Sequence, residues 1–449
     1  MGPNRCPIRA GIRWSALLAL QDLMRPDTSS AGIFWRHAYS IFLGLLLSAS
    51  VIWPGSASVF SQQAGQWSPV PLPPRAFPDV LDLPSHKEFP DPLMMFDGRR
   101  VTTKEQWERE RRPELQILFQ HYMYGYMPPA PSNVGGAVDR IDLQFMGGKA
   151  TRKEVRISFG PPGTPPINLL LVVPNNRAGP SPVFLGLNFR GNDSVYTLYS
   201  EFPFELIVDR GYAVATAAYG DIFPDRPDFS GGIFPFFRRQ GQTDREPHDW
   251  GAIAMWAWGL QRVIDYLVTD RDIDPARIAV TGHSRLGKTA LLAAAYDERI
   301  SLVIPHQAGT GGSAPSRKKS PRAETVKQIN DRFPHWFNKV FARFNDAVDR
   351  LPFDQHALVA LVAPRPVLFT NGVQDQWADP AGQFEVLRAA DPVYRLLGSE
   401  GLSTTDVPPV GRLVDSALGY YIREGGHQVD QAYWKVFLDF ADRHLRRRR

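Results

Sequence analysis

From Ile167 onward, short apolar runs alternate with stretches of helical periodicity. The runs 169–173, 183–188, 213–218, 278–282, 302–306, 367–371 and 420–423 are almost continuously aliphatic or aromatic. Strands that bury both faces read this way, whereas a sheet with one wet face alternates in and out. Between the runs, 250–267 is apolar on all sides and carries Trp256 and Trp258, 289–295 and 380–390 supply two further helices, and 431–445 closes the chain. Strands separated by helices predict β-α-β units and a mostly parallel central sheet flanked by helices, a three-layer α/β sandwich of the α/β-hydrolase type. No internal repeat of roughly 20–50 residues is visible, which argues against a solenoid or propeller.

Upstream of this region the pattern changes twice. Residues 59–95 lack periodicity and are rich in proline, including Pro69, Pro71, Pro73, Pro74 and Pro78, and predict an extended lead-in. Before them, Arg36 and His37 precede an apolar run from Tyr39 to Trp53 and then the small-residue stretch Gly55-Ser56-Ala57-Ser58. That order predicts a secretory signal over residues 1–58, with Met24 a plausible true start; an uncleaved anchor is the alternative. Residues 96–449 then form one catalytic domain, and the protein is expected to be secreted or periplasmic and monomeric.

Composition narrows the partners. Hydrophobic residues at 43% and charged residues at 22% fit a globular chain. The net charge of +5 owes four positives to Arg446, Arg447, Arg448 and Arg449. With no groove-reading motif or interleaved basic-aromatic patch, a nucleic-acid partner is not expected, while an acidic polysaccharide suits a mildly basic enzyme. The single cysteine, Cys6, lies within the expected signal, so a mature enzyme would carry neither thiol nor disulfide. No His, Cys and carboxylate cluster has ligand spacing, so neither metal nor cofactor is expected.

The chemistry concentrates at three places. In Arg277–Leu291 an apolar run ends in Gly282-His283-Ser284-Arg285-Leu286-Gly287-Lys288 before a helix. A serine on such a strand–turn–helix bend is held with its hydroxyl exposed, although Gly-x-Ser-x-x-Gly is one residue longer than the usual elbow. The helix N-terminus and the N–H of Arg285 would favour an oxyanion, and the Arg285 guanidinium would add a charge-assisted contact. A helix-capping serine is the plain alternative. The last predicted strand runs into Glu424-Gly425-Gly426-His427, which makes His427 the expected general base. For the orienting acid, Asp375 follows the strand 367–371, while Asp379, immediately before Pro380, looks like a helix N-cap.

At these residues the chain resembles the glucuronoyl esterases of carbohydrate esterase family 15, which cleave the ester between a glucuronate branch of xylan and a lignin alcohol. The likeness runs from Phe96 to Ala441 and includes Asp97-Gly98 with Trp107, Tyr124-Gly125, Asn188-Phe189 with Gly191-Asn192, Asp249-Trp250-Gly251 and Trp256-Ala257-Trp258-Gly259. It continues through Ser284-Arg285-Leu286-Gly287-Lys288, Phe333-Pro334-His335-Trp336, Trp377-Ala378-Asp379-Pro380 and Gly425-Gly426-His427. The resemblance implies that Arg285 holds the oxyanion, and that Lys288, Glu324 and Trp377 contact the sugar. A solvated lysine, a helix-surface glutamate and a core tryptophan are the plain readings of those three. One position departs: some members take the triad acid from just after the strand that follows the elbow, where this chain has Gln307, here expected to face substrate. The implied reaction is hydrolysis of (4-O-methyl-)glucuronate esters. An esterase on another carbohydrate or acyl ester, such as acetyl xylan, and a decayed carbohydrate-binding homologue remain open.

Overall fold

The computed structural model describes residues 77–193, 201–239 and 241–445, all within one compact unit, 62–449. The expected signal and most of the proline-rich lead-in lie outside the described residues.

The seven apolar runs form seven strands of one nine-stranded sheet, β3 Ile167–Pro174, β4 Ser181–Asn188, β5 Ala213–Ala218, β6 Ile273–His283, β7 Ile300–His306, β8 Val367–Gly372 and β9 Leu418–Arg423, and two strands precede them, β1 Gly135–Phe145 and β2 Ala150–Ser158. Their order is β1-β2-β3-β5-β4-β6-β7-β8-β9. The strands from β5 to β9 pair in parallel, while β1, β2 and β3 join antiparallel at one edge. This is the mostly parallel, helix-flanked sheet expected of an α/β-hydrolase.

Side-chain alternation explains why the buried runs look continuous. Leu169, Leu171 and Val173 of β3 enter one core, while Leu170 and Val172 enter the other. The first core is closed by helices Ala252–Leu267 and Arg285–Tyr296, the second by Gln431–Leu445. Fully burying such a Val or Leu side chain stabilises by about 1.5–3 kcal/mol, so both faces demand apolar residues.

The structure departs from the sequence pattern at several elements, among them β2, whose Arg152, Lys153, Glu154 and Arg156 break up any apolar run. β1 escaped notice because it is an edge strand whose Val138, Ile141 and Leu143 remain exposed among charged neighbours. The helix expected over 289–295 begins at Arg285, directly after the serine. The helix expected to stop at 390 runs on as Pro380–Leu396 through Pro392, because Val393 and Tyr394 are fully buried beyond it.

The visible part of the lead-in is packed onto the domain. Val80 and Leu83 are buried in the first core. Arg317, itself buried, donates to the carbonyls of His86, Glu88, Leu351 and Phe353 and pairs with the buried Asp354 carboxylate at 3.0 Å. One guanidinium thereby answers backbone acceptors that burial would otherwise orphan.

Candidate active site

β6, β7, β8 and β9 are adjacent and parallel, so the turns at their C-terminal ends emerge side by side. Ser284 directly follows β6 and Gln307 directly follows β7; the turns after β8 and β9 carry Asp375 and His427. Residues far apart in the chain are thus gathered along one edge, where open α/β sheets place their ligands.

The elbow is strained at the serine itself. Ser284 has φ 59° and ψ −123°, a conformation disfavoured for a side-chain-bearing residue. Its N–H donates to the His306 carbonyl at 3.0 Å, and its own carbonyl accepts from Gly287 at 2.9 Å and Lys288 at 3.1 Å. The glycines of the long spacing meet across the bend: a Cβ on Gly282 would collide with the Leu286 carbonyl, and one on Gly287 would crowd the Gly282 carbonyl. The Ser284 side chain makes no capping hydrogen bond to this helix, so it does not act as the cap of the plain reading.

An imidazole packs beside the elbow. His427 Nδ1 lies 2.7 Å from Asp375 Oδ2, with the carboxylate buried and the ring part-exposed. A carboxylate partner places the proton on Nδ1 and leaves Nε2 free as the basic nitrogen. The His427 ring packs 4.5 Å from that of His283, the residue before Ser284. Asp379, by contrast, is fully buried, accepts from Gly382 N–H and from the Ser320 hydroxyl, and caps the helix that starts at Pro380. The two aspartates therefore have different work.

Directly after the serine comes an arginine. Arg285 pairs through Nη1 with Asp225, whose other oxygen accepts from His335 Nε2 and Trp336 Nε1, each at 2.7 Å. Burial opposes ionisation of Asp225, but the hydrogen bonds from His335 and Trp336 and the Arg285 charge outweigh it, so its carboxyl lies below the usual range. The guanidinium also sits 5.0 Å from the Phe189 ring and 5.7 Å from that of Trp336. Its Nε is buried without an acceptor among the described residues. Helix geometry leaves first-turn N–H groups, Arg285 among them, without intrahelical acceptors. Sequence reading missed Asp225; the Pro334-His335-Trp336 stretch was its one trace.

A second cation lies deeper. Lys288 is buried at 4% exposure, and its ammonium donates to the carbonyls of Ala308 and Thr310, the latter at 2.6 Å. Burial draws its pKa down to about 8, with Glu324 opposing the fall. Lys319, in the basic run Arg317-Lys318-Lys319, donates to the Thr310 hydroxyl at 2.9 Å and is likewise drawn to about 8 by burial. Glu324 is buried at 5% exposure, and its N–H donates to the Trp377 carbonyl at 3.1 Å. Trp377 itself is 44% exposed, so it is no core residue, as Lys288 and Glu324 are no surface residues.

Gln307 is placed differently from its expected role facing substrate. It is 1% exposed; its Nε2 donates to the Gly426 carbonyl at 2.8 Å and its Oε1 accepts from Gln428 N–H at 2.9 Å. Both ends of the amide are engaged by backbone, which leaves the side chain facing the His427 loop instead of a ligand. Among the described residues no group of three or more His, Cys, Asp or Glu is disposed to hold a metal, and no helix is long and apolar enough to cross a membrane.

The chain is similar to known proteins. A family model described as "Glucuronyl esterase, fungi" matches residues 170–398. "Carbohydrate esterase MZ0003", from an unknown prokaryotic organism, is 40% identical over 434 residues, covering 89% of this chain and 97% of its own length. "4-O-methyl-glucuronoyl methylesterase 1" of Wolfiporia cocos is 31% identical over 340 residues, 73% of this chain and 77% of its own. Among solved structures, the glucuronoyl esterase from Solibacter usitatus is similar with a TM-score of 0.76 and 37% identity, covering 81% of this chain and all of that one.

Proposed function

The chain belongs to the glucuronoyl esterases of carbohydrate esterase family 15, and on that footing we propose that it hydrolyses (4-O-methyl-)glucuronate esters of xylan with lignin alcohols through Ser284, His427 and Asp375. The observation that carries the reading is the 2.7 Å contact of His427 Nδ1 with the buried Asp375 carboxylate, on the loop packed beside the strained elbow.

In the first step His427 Nε2 takes the hydroxyl proton as Ser284 Oγ attacks the C6 carbonyl of the uronate. The carbonyl electrons collect on an oxyanion, which the Arg285 N–H and guanidinium stabilise. Collapse expels the alcohol, which leaves with the proton held by His427. A water molecule then gives a proton to the same nitrogen as it attacks the acyl-serine; the second tetrahedral intermediate collapses with cleavage of the C6–Oγ bond, His427 returns the proton to Ser284 Oγ, and the free uronic acid is released. Asp375 fixes the tautomer and balances the imidazolium. Lys288, Glu324 and Trp377 supply an ammonium, a carboxylate and an exposed indole for sugar hydroxyls and the ring face.

Benzyl glucuronate, acetyl xylan and p-nitrophenyl acetate test the reading. Wild type is expected to prefer benzyl glucuronate, and Ser284→Ala to lose that turnover by about 10⁶-fold, as nucleophile removal does elsewhere. Preference for acetyl xylan would move the substrate to another carbohydrate ester, and binding of glucuronoxylan without turnover of any of the three would move the protein out of the esterases. The signal-like N-terminus supports export to the periplasm or medium, which N-terminal sequencing of the exported enzyme checks.

A further inference from the structure

The loop that delivers His427 is gripped from below on both flanks of the histidine. Gln307 holds the Gly426 carbonyl and the Gln428 N–H. Its neighbour His306 lies 2.9 Å, through Nε2, from the Gln428 carbonyl, and 2.7 Å, through Nδ1, from the Thr370 hydroxyl. Burial keeps His306 neutral, with a pKa near 4, so it has one proton to give, and the carbonyl is the group that must receive it. Gln307 is itself in the left-handed region, at φ 47°, with its N–H donating to the Thr370 carbonyl of β8 at 3.1 Å. Such backbone persists in a side-chain-bearing residue where its surroundings over-determine it.

We propose that Gln307 is a positioning residue for the general base, a neutral brace that sets where His427 stands relative to Ser284. The proposal rests on the triad reading above and deepens it. The amide is the side chain that fits: at one end it must donate to a carbonyl, and at the other it must accept from an N–H. A carboxylate of the same length keeps the acceptor but turns an oxygen toward the Gly426 carbonyl, losing the donor and setting two acceptors face to face. A methionine fills the space and keeps neither bond. Gln307 therefore acts through the loop, not through substrate, and its loss should be felt in the chemical step.

The test compares wild type, Gln307→Met, Gln307→Glu, Asp375→Asn and the Gln307→Glu/Asp375→Asn double variant on benzyl glucuronate, with turnover expressed per folded molecule by near-ultraviolet circular dichroism. Both single Gln307 variants are expected to lower kcat on the order of 10- to 100-fold, the scale of a base displaced by a fraction of an ångström to an ångström, with KM within about twofold of wild type. The double variant is expected to recover nothing over Asp375→Asn. A Gln307→Glu enzyme that equals wild type or restores Asp375→Asn would mean that the position works as an acid, and would overturn the brace. So would undiminished kcat in Gln307→Met, or a rise in KM at constant kcat, which would return Gln307 to the substrate. His427→Ala separates the two layers: if it is inactive while Gln307→Met is not impaired, the brace alone fails, and if it retains activity, the triad and the brace fail together.

Discussion

His427 and Arg285 both lie at the Ser284 elbow, one packed on His283 and the other next in the chain, yet they are held in opposite ways. The histidine stands on a loop beyond β9, and its neighbours are uncharged apart from Asp375: the buried Gln307 amide, and the neutral His306 and His283 rings. The arginine stands at the start of a helix, and its surroundings are ionic and aromatic: Asp225, His335, Trp336 and Phe189. In the mechanism proposed, His427 accepts and returns a proton, a task suited by one orienting carboxylate and otherwise neutral contacts. In the same mechanism Arg285 meets developing negative charge and must stay cationic and stay aimed, a task suited by an ion pair braced by two further donors. Separate machinery lets each side be tuned without disturbing the other.

Substitutions that remove one side while sparing the other sharpen this contrast. The largest effect is expected at Asp375: Asp375→Asn should reduce kcat by about 10³–10⁴, because the amide can stabilise the wrong tautomer and cannot balance an imidazolium. Asp379→Asn, which keeps an oxygen for the Gly382 N–H of the helix cap, should instead leave thermal stability nearly unchanged, with kcat changed far less than in Asp375→Asn. Steady-state kinetics beside thermal unfolding checks the pair, and a greater kcat loss in Asp379→Asn would exchange the roles of the two aspartates.

On the arginine side, Arg285→Ala should cost about 10² in kcat with KM little changed, as removal of an oxyanion donor does. Loss expressed in KM would assign Arg285 to ground-state binding and blur the contrast. Asp225→Asn keeps the shape of the cradle but removes its charge, so its expected effect is smaller, roughly tenfold in kcat. Undiminished kcat would show that the Asp225 charge does not hold Arg285 in its working position.

The smallest effect is expected from pH acting on Lys288. The ammonium has three N–H groups, of which two are taken by the Ala308 and Thr310 carbonyls; below about pH 8 one remains for a sugar oxygen. As pH rises through that value the amine keeps only two, so KM for benzyl glucuronate should climb several-fold. KM profiles for wild type and Lys288→Met check this: the variant should start higher and stay flat.

Much of this was legible from residue order because it depends on local chemistry. The continuous apolar runs declared strands buried on both faces, Asp379 before Pro380 declared a helix cap, and the Gly282-His283-Ser284 bend declared an elbow, each needing only its neighbours in the chain. Edge strand β1 was not legible, since an exposed strand has no core to impose a pattern. The depth of Lys288 was hidden for a related reason: helical spacing puts it on the face of Ser284 without showing that Ala308 and Thr310 come back over it.

Pairings across the sheet lay beyond any local rule. That Asp375 meets His427 follows from β8 and β9 lying in register, with Asn371 opposite Ile422 and Gly372 opposite Arg423, and with Gly372 lacking the Cβ that would strike the Gly425 carbonyl. That Gln307 lies beneath the His427 loop follows from β7 standing between the strand of the nucleophile and the strand of the acid. Which residue types can do acyl transfer was written in the order of the chain. Which of them touch, and whether an amide faces a ligand or a loop, was settled by strand order and register, because partners more than fifty residues apart are chosen by how the sheet assembles and not by what surrounds each along the sequence.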